Sequence, residues 1–351
     1  MLSLNGDSYF RGISAAIVCL SGYAQAVPAQ AGRVSDFNSL FQLADTIVPS
    51  GQDSVPLVRV SGVYWARNGR IVIADVSEAN VKIYGPTGRL IRVVGRKGQG
   101  PGEFQEPRYP LLNEGTGELI VGEANGFISI FDSLGRITNK FRLSVSGISS
   151  LNRSPSGNYL VTGWPAAKGV VIEFDANGTE RHRYLKRTEP PAPAQRNDPR
   201  WNSVTQYWSV LLGEKAYVAS TVSDSLWVLD LSSSKGESQV RVPLSGYSPP
   251  QLPGMEEMKK ARDPFAWIRQ YHTAVGLLCD TDSGRVGISF VKGILNYGDP
   301  ASFLFLDRSG KWTQADRAPP VIAMRGTRLL VINRPQSEVI SLAVYKPRRG
   351  T

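Results

Sequence analysis

GRKGQGPGEFQEP, residues 95–107, lies between two stretches of similar character. Residues 71–94 before it and 109–131 after it are both rich in β-branched and aromatic residues, the composition of strands. Glycine tolerates positive φ and proline fixes φ near −65°. Gly95, Gly98, Gly100, Gly102 and Pro101 together therefore specify a long, tightly turned connection between two like units.

Those units recur. Six times a turn glycine precedes a β-branched or apolar run: Gly69 before Ile71, Gly117 before Leu119, Gly157 before Tyr159, Gly213 before Ala216, Gly284 before Val286 and Gly326 before Leu329. The spacings of these glycines fit a repeat of roughly 40–50 residues with insertions. The runs are continuous rather than alternating, so each strand is covered on both faces, as expected of an inner strand between neighbouring sheets. After each run comes an apolar pair and a turn, as in Ile130-Phe131-Asp132-Ser133-Leu134-Gly135. Asp132, Asp175, Asp230 and Asp307 are read as turn-forming residues, because an Asp at that position bonds backbone N–H groups of its own turn.

The G-x-G-P-G-E-F-x-x-P linker between such units resembles the inter-blade linker of NHL-repeat six-bladed β-propellers. The resemblance spans roughly residues 39–345 and is specific at 95–107. It implies an all-β chain: a six-bladed β-propeller of four-stranded antiparallel blades. The sixth repeat runs out after residues 341–345 without an outer strand, and residues 39–48 precede every repeat. Propellers of this kind often close with an N-terminal strand, which gives residues 39–48 the role of completing the last blade and hiding its edge.

Residues 1–26 read as a secretory signal peptide. Arg11 precedes an apolar core, and Ala24-Gln25-Ala26 supplies a small-x-small cleavage site. Residues 27–351 then form one propeller in a secreted or periplasmic protein. No apolar stretch reaches the roughly 20 residues of a membrane span, so stable membrane insertion is not expected. Removal of the signal takes Cys19 with it and leaves Cys279 as a buried small hydrophobe without a disulfide partner. The formal net charge is +10. Such an excess favours anionic partners, and export disfavours nucleic acid among them.

Strand order assigns the long insertions to one face. Connections between blades, and those between the second and third strands of a blade, share a face; the remaining hairpins share the other. Residues 96–107, 187–202 and 247–271 are inter-blade insertions, and 164–169 and 292–301 belong to the same face. Residues 255–262 carry helical spacing that Pro264 stops, a short helix in an inter-blade insertion. Long loops on a rigid scaffold commonly carry binding, so this is the expected ligand face. Its basic and aromatic residues are Trp164, Lys168, Arg200, Trp201, Trp267, Arg269, Tyr271, His272, Lys292 and Tyr297. Aromatic planes stack on sugars or prolines, and arginines pair bidentately with carboxylates. The set suits a protein partner or an acidic glycan.

Catalytic signatures are sparse. His182 and His272 are the two histidines, too few for a multi-histidine zinc centre, and neither a G-x-S-x-G elbow nor a P-loop is present. The sequence therefore leans towards a non-catalytic binding protein without a cofactor. The competing reading is an enzyme. The propeller architecture also resembles that of hydrolases and lyases, lactonases among them, that hold Ca²⁺ in the central channel through carboxylates and Asn. Asp75, Glu123 and Asn333, at or just beyond the ends of strand runs, are the nearest candidate ligands. Capping of those strand ends is the structural role available to the same three residues.

Overall fold

The computed structural model describes residues 33–51, 55–145, 147–164, 169–185, 204–233, 236–254, 257, 266–293, 300–333 and 340–349. Among them the chain opens with β1 (Arg33–Asp36), one helical turn α1 (Phe37–Leu40) and β2 (Phe41–Ile47). Blade one is β3 (Val60–Trp65), β4 (Ile71–Asp75), β5 (Asn80–Tyr84) and β6 (Leu90–Val94). Blade two is β7 (Pro107–Leu112), β8 (Leu119–Glu123), β9 (Phe127–Phe131) and β10 (Ile137–Arg142). Blade three comprises β11 (Gly147–Arg153), β12 (Tyr159–Trp164), β13 (Val171–Phe174) and β14 (Glu180–Tyr184). Blade four comprises β15 (Tyr207–Leu212), β16 (Lys215–Ser220), β17 (Ser225–Asp230) and β18 (Gly236–Arg241). Blade five holds β19 (His272–Asp280), β20 (Arg285–Lys292), β21 (Ala301–Leu306) and β22 (Trp312–Ala318), with β1 added in parallel outside β22. Blade six takes β23 (Val321–Arg325), β24 (Arg328–Asn333) and β25 (Ser341–Pro347) from the end of the chain and β2 from its beginning.

The result is a ring of six four-stranded antiparallel blades, a six-bladed β-propeller. As expected, residues 39–48 close it: β2 pairs antiparallel with β25, from Phe41 opposite Pro347 to Ile47 opposite Leu342. The parallel strand β1 was not foreseen. It is short, its Val34 is exposed, and it is held by register with Thr313 to Asp316 and by the Arg317–Asp36 ion pair.

The continuous apolar runs fall on the second strand of each blade, inside the sheet and covered on both faces as expected; in β4 and β8 every residue is buried. The innermost strands border the central channel and tolerate polar and small residues such as Ser61, Gly62, Ser149 and Ser150. The second strand, by contrast, has a hydrogen-bonded neighbour on each side and a blade against each face. Six apolar seams follow, one between each pair of blades; that between blades one and two contains Val72, Val81, Phe104, Val121 and Phe131.

The glycine-rich linker enters this seam. Phe104 is fully buried and tilted against Phe131 at 5.7 Å. Gly98 N–H donates to the Phe104 carbonyl and Phe104 N–H to that of Arg96, which ties the linker into a knot. Gly95 sits at φ 77° with the Phe104 ring where a Cβ would lie, so both its backbone and its lack of a side chain are required. Lys140 Nζ closes the knot by donating to the Gly100 and Glu103 carbonyls at 3.1 and 2.9 Å. The hairpin aspartates behave as expected: Asp132 accepts from Leu134 and Arg136 N–H, Asp175 from Asn177 and Thr179, and Asp307 from Ser309 and Lys311.

Candidate functional site

The inter-blade connections and the turns between second and third strands do share one face. Residues 165–168, 186–203, 258–265, 294–299 and 334–339 lie outside the described residues. Lys168, Arg200, Trp201 and Tyr297 are among them, and so is the helix expected over 255–262, apart from Glu257. Trp164 ends β12 opposite Gly147.

The structure brings the other five expected residues to one corner of blade five. The insertion before β19 ends in a 3₁₀ turn, Ala266–Gln270, that buries Ile268 and exposes Arg269. Trp267 packs with Val204 against Val222 and Leu252, so its ring anchors the insertion to the scaffold, and Tyr271 meets it edge-on at 6.5 Å. His272 begins β19 directly opposite Lys292, the last residue of β20. Gly293 follows at φ 98°, its N–H donating to the Tyr271 carbonyl at 2.8 Å, and a Cβ there would press on the Arg269 backbone. That glycine lets the end of β20 tuck beneath the turn, which sets Lys292 and Arg269 on one exposed corner. Burial first, and then the Lys292 charge, hold the His272 imidazole below its usual value. His272 is therefore neutral near pH 7, and the cationic character of the corner comes from Arg269 and Lys292.

Asp75 and Glu123 stand on the same face, where each carboxylate clamps the chain arriving from the previous blade. Asp75 accepts from Val58 and Arg59 N–H at 2.8 and 3.1 Å, and from Ser77 at 3.1 Å. Lys82, fully buried like Asp75, adds an ion pair at 3.0 Å. Glu123 accepts from Gln105 and Glu106 N–H at 2.6 and 3.1 Å, with Lys140 Nζ 3.9 Å away. Asn333 ends β24 and is exposed. The three come from different blades, and among the described residues no group of three or more His, Cys, Asp or Glu is placed to hold a metal ion. The two lysines were missed by the sequence reading, because Lys82 and Lys140 sit on third and fourth strands with no local pattern linking them to the carboxylates.

The Asp75–Lys82 pair makes a pH-dependent contribution. Burial alone would raise the Asp75 carboxyl, but the Val58 N–H, the Lys82 hydrogen bond and charge, and the Arg59 N–H outweigh it and hold the carboxyl below its ordinary range. A depressed folded pKa means stability that is full above the unfolded value, about 4, and is lost as pH falls through the folded value. Asp75→Asn is expected to cost about 3 kcal/mol near neutrality, because Lys82 is left buried and unpaired. Denaturant melts at about pH 7, 5 and 3 should show the gap between wild type and variant narrowing on acidification. A gap that stays constant or widens contradicts this account.

Cys279 donates its thiol to the Leu211 carbonyl at 3.4 Å. Burial, reinforced by the Asp280 charge, pushes the thiol up to about 12, which removes its nucleophilic form at neutral pH. The residue as a whole is half-buried.

Comparison with known proteins agrees with the architecture. Residues 27–141 match a family described as a 6-bladed beta-propeller, a broader class than the NHL repeat. No curated protein sequence matches the chain. A Bacteroides fragilis protein described as exported superposes with a TM-score of 0.63 at 10% identity, over 90% of this chain and 97% of its own. A Bacteroides vulgatus protein gives 0.62 at 11%, over 88% and 99%. Virginiamycin B lyase from Staphylococcus aureus gives 0.50 at 12%, over 87% and 99%. At such identities the likeness is one of fold.

Proposed function

We propose that this chain is an exported, non-catalytic β-propeller that captures a protein or an acidic polysaccharide through its loop-bearing face. The observation that carries the reading is the blade-five corner, where a 3₁₀ turn anchored by Trp267 presents Arg269 beside Lys292. Two cations on a rigid corner, with the Tyr271 ring alongside, offer carboxylates a charged contact and an apolar or sugar face a stacking surface. The net charge of +10 points the same way. Export is supported by the signal-like residues 1–26 and by the likeness to the Bacteroides fragilis protein described as exported. Arg200, Trp201, Trp164, Lys168 and Tyr297 join the same face as proposed contacts.

A lactonase- or lyase-like enzyme is the second reading, favoured by the placement of Asp75 and Glu123 on the loop-bearing face. Against it stand the hydrogen bonds on both Asp75 oxygens and on Glu123 Oε2, and the lysine that stands beside each carboxylate, Lys82 and Lys140, whose charge opposes a cation there. The test is capture by the immobilised mature chain from an envelope extract, with polygalacturonate as competitor, alongside Ca²⁺ calorimetry. Salt-sensitive capture with no calorimetric signal is expected. Tight stoichiometric Ca²⁺ binding would favour the enzyme.

A further inference from the structure

The opposite face, built from short hairpins, is not flat. A depression of about 520 Å³ lies at its centre, with Tyr64, Leu111 and Leu211 in its lining and Arg67 and Arg153 at its sides. A second, of about 120 Å³ and floored by Ile83, Val94 and Leu119, lies between blades one and two under Arg70 and Arg92. A third, of about 430 Å³, lies between blades four and five, where Leu212, Val286 and Leu306 meet Arg308. They adjoin: Leu112 lines both the second and the central depression, and Gly213 and Thr281 line both the central and the third. Together they form a stepped trough of three adjoining depressions, ordered across the hairpin face from blade one to blade five.

The charges along this trough are unevenly committed. Its carboxylates are engaged within the protein: Glu114 accepts from Tyr64 Oη and Arg67 N–H, and Asp132 and Asp307 close their own turns. Just outside it, Asp282 pairs with Arg67 and Glu118 with Arg153. Arg92 and Arg308, near opposite ends, donate instead to the neutral carbonyls of Ser133 and Asp282, and among the described residues neither forms an ion pair. Positive charge is left over at both ends, with aliphatic floors beneath it.

We propose that this trough binds an extended peptide segment in which apolar and acidic side chains alternate. Successive side chains of an extended strand point to opposite faces. The apolar set would fill the depressions while the carboxylates meet the rim guanidinium groups, which match them in bidentate geometry. A uronate polymer fits less well. Sugar faces stack on aromatic rings, whereas the floors here are mostly Leu, Ile and Val. The site is independent of the loop-bearing face.

The test uses the full mature chain and fluorescence anisotropy with three labelled eight-residue peptides of repeating Val-Glu, Ser-Glu and Val-Lys. The Val-Glu peptide should bind saturably, and the other two about tenfold or more weaker. Arg92→Glu and Arg308→Glu should each weaken the Val-Glu peptide about tenfold with unchanged melting curves, and Arg269→Ala on the opposite face should leave it unchanged. The proposal is overturned if the Val-Glu peptide does not bind saturably, if neither charge reversal affects it, or if Arg269→Ala does. It is also overturned if an oligogalacturonate binds the trough more tightly than the peptide. None of these results bears on capture through the loop-bearing face, which Arg269 and Lys292 report separately.

Discussion

Replacing Gly62 with alanine will destabilise the ring by about 3 kcal/mol, near the upper end for overpacking, because the obstacle is main chain. Gly62 lies on β3 against β7, and a Cβ there would stand 1.7 Å from the Arg108 carbonyl oxygen and 2.9 Å from Pro110 Cδ. The two strands cannot separate cheaply. The Ser61 hydroxyl, one residue earlier, donates across the same seam to the Pro107 carbonyl at 2.6 Å. The expected fall in melting temperature is roughly 6–12 °C. Gly276→Ala is the control. Gly276 also lies on an innermost strand, but nothing stands within 4 Å of its Cβ position, so that variant should melt close to wild type. Equal melting of the two variants would mean that blades one and two do not approach as described.

Removing the closing strand should be more severe. A chain shortened through Val48 loses Phe37, Leu40, Phe41 and Ile47, all buried. Phe37 stacks on Phe41 at 5.0 Å and meets Tyr345 edge-on at 5.1 Å, so the segment plugs the seam between blades five and six. At about 1.5–3 kcal/mol per large apolar side chain the loss is roughly 6–12 kcal/mol, comparable to the whole stability of a typical domain. It also strips β25 of its outer partner, leaving only the pairing with β24, and opens an edge to intermolecular pairing. The shortened chain should therefore be aggregated or lack a cooperative transition by scattering and calorimetry. If it melts like the full mature chain, the ring is not closed by β2.

The architecture was legible because its signals are local. A turn glycine before an apolar run marks a second strand, and an Asp with a Gly three residues later marks a third-to-fourth strand turn, as at Asp132 and Gly135. Pairings across the fold were illegible. Lys82 reaches Asp75 from a neighbouring strand, and β1 carries an exposed Val34 with no apolar repeat to announce it. Trp267, Arg269, Tyr271 and His272 were recognisable as a basic and aromatic group from their adjacency in sequence. That Lys292 joins them depends on the register of β19 with β20, which no spacing in the chain reveals.

The face assignment is the claim on which the functional account rests, and substitution face by face tests it most directly. Capture of the envelope partner would be compared for wild type, the double variant Arg269→Ala/Lys292→Ala, and Arg89→Ala, which alters an exposed hairpin residue on the other face away from the trough. The double variant should weaken capture about tenfold or more without changing the melting temperature, and Arg89→Ala should match wild type. Capture lost in Arg89→Ala and retained in the double variant would place the functional face on the opposite side of the ring.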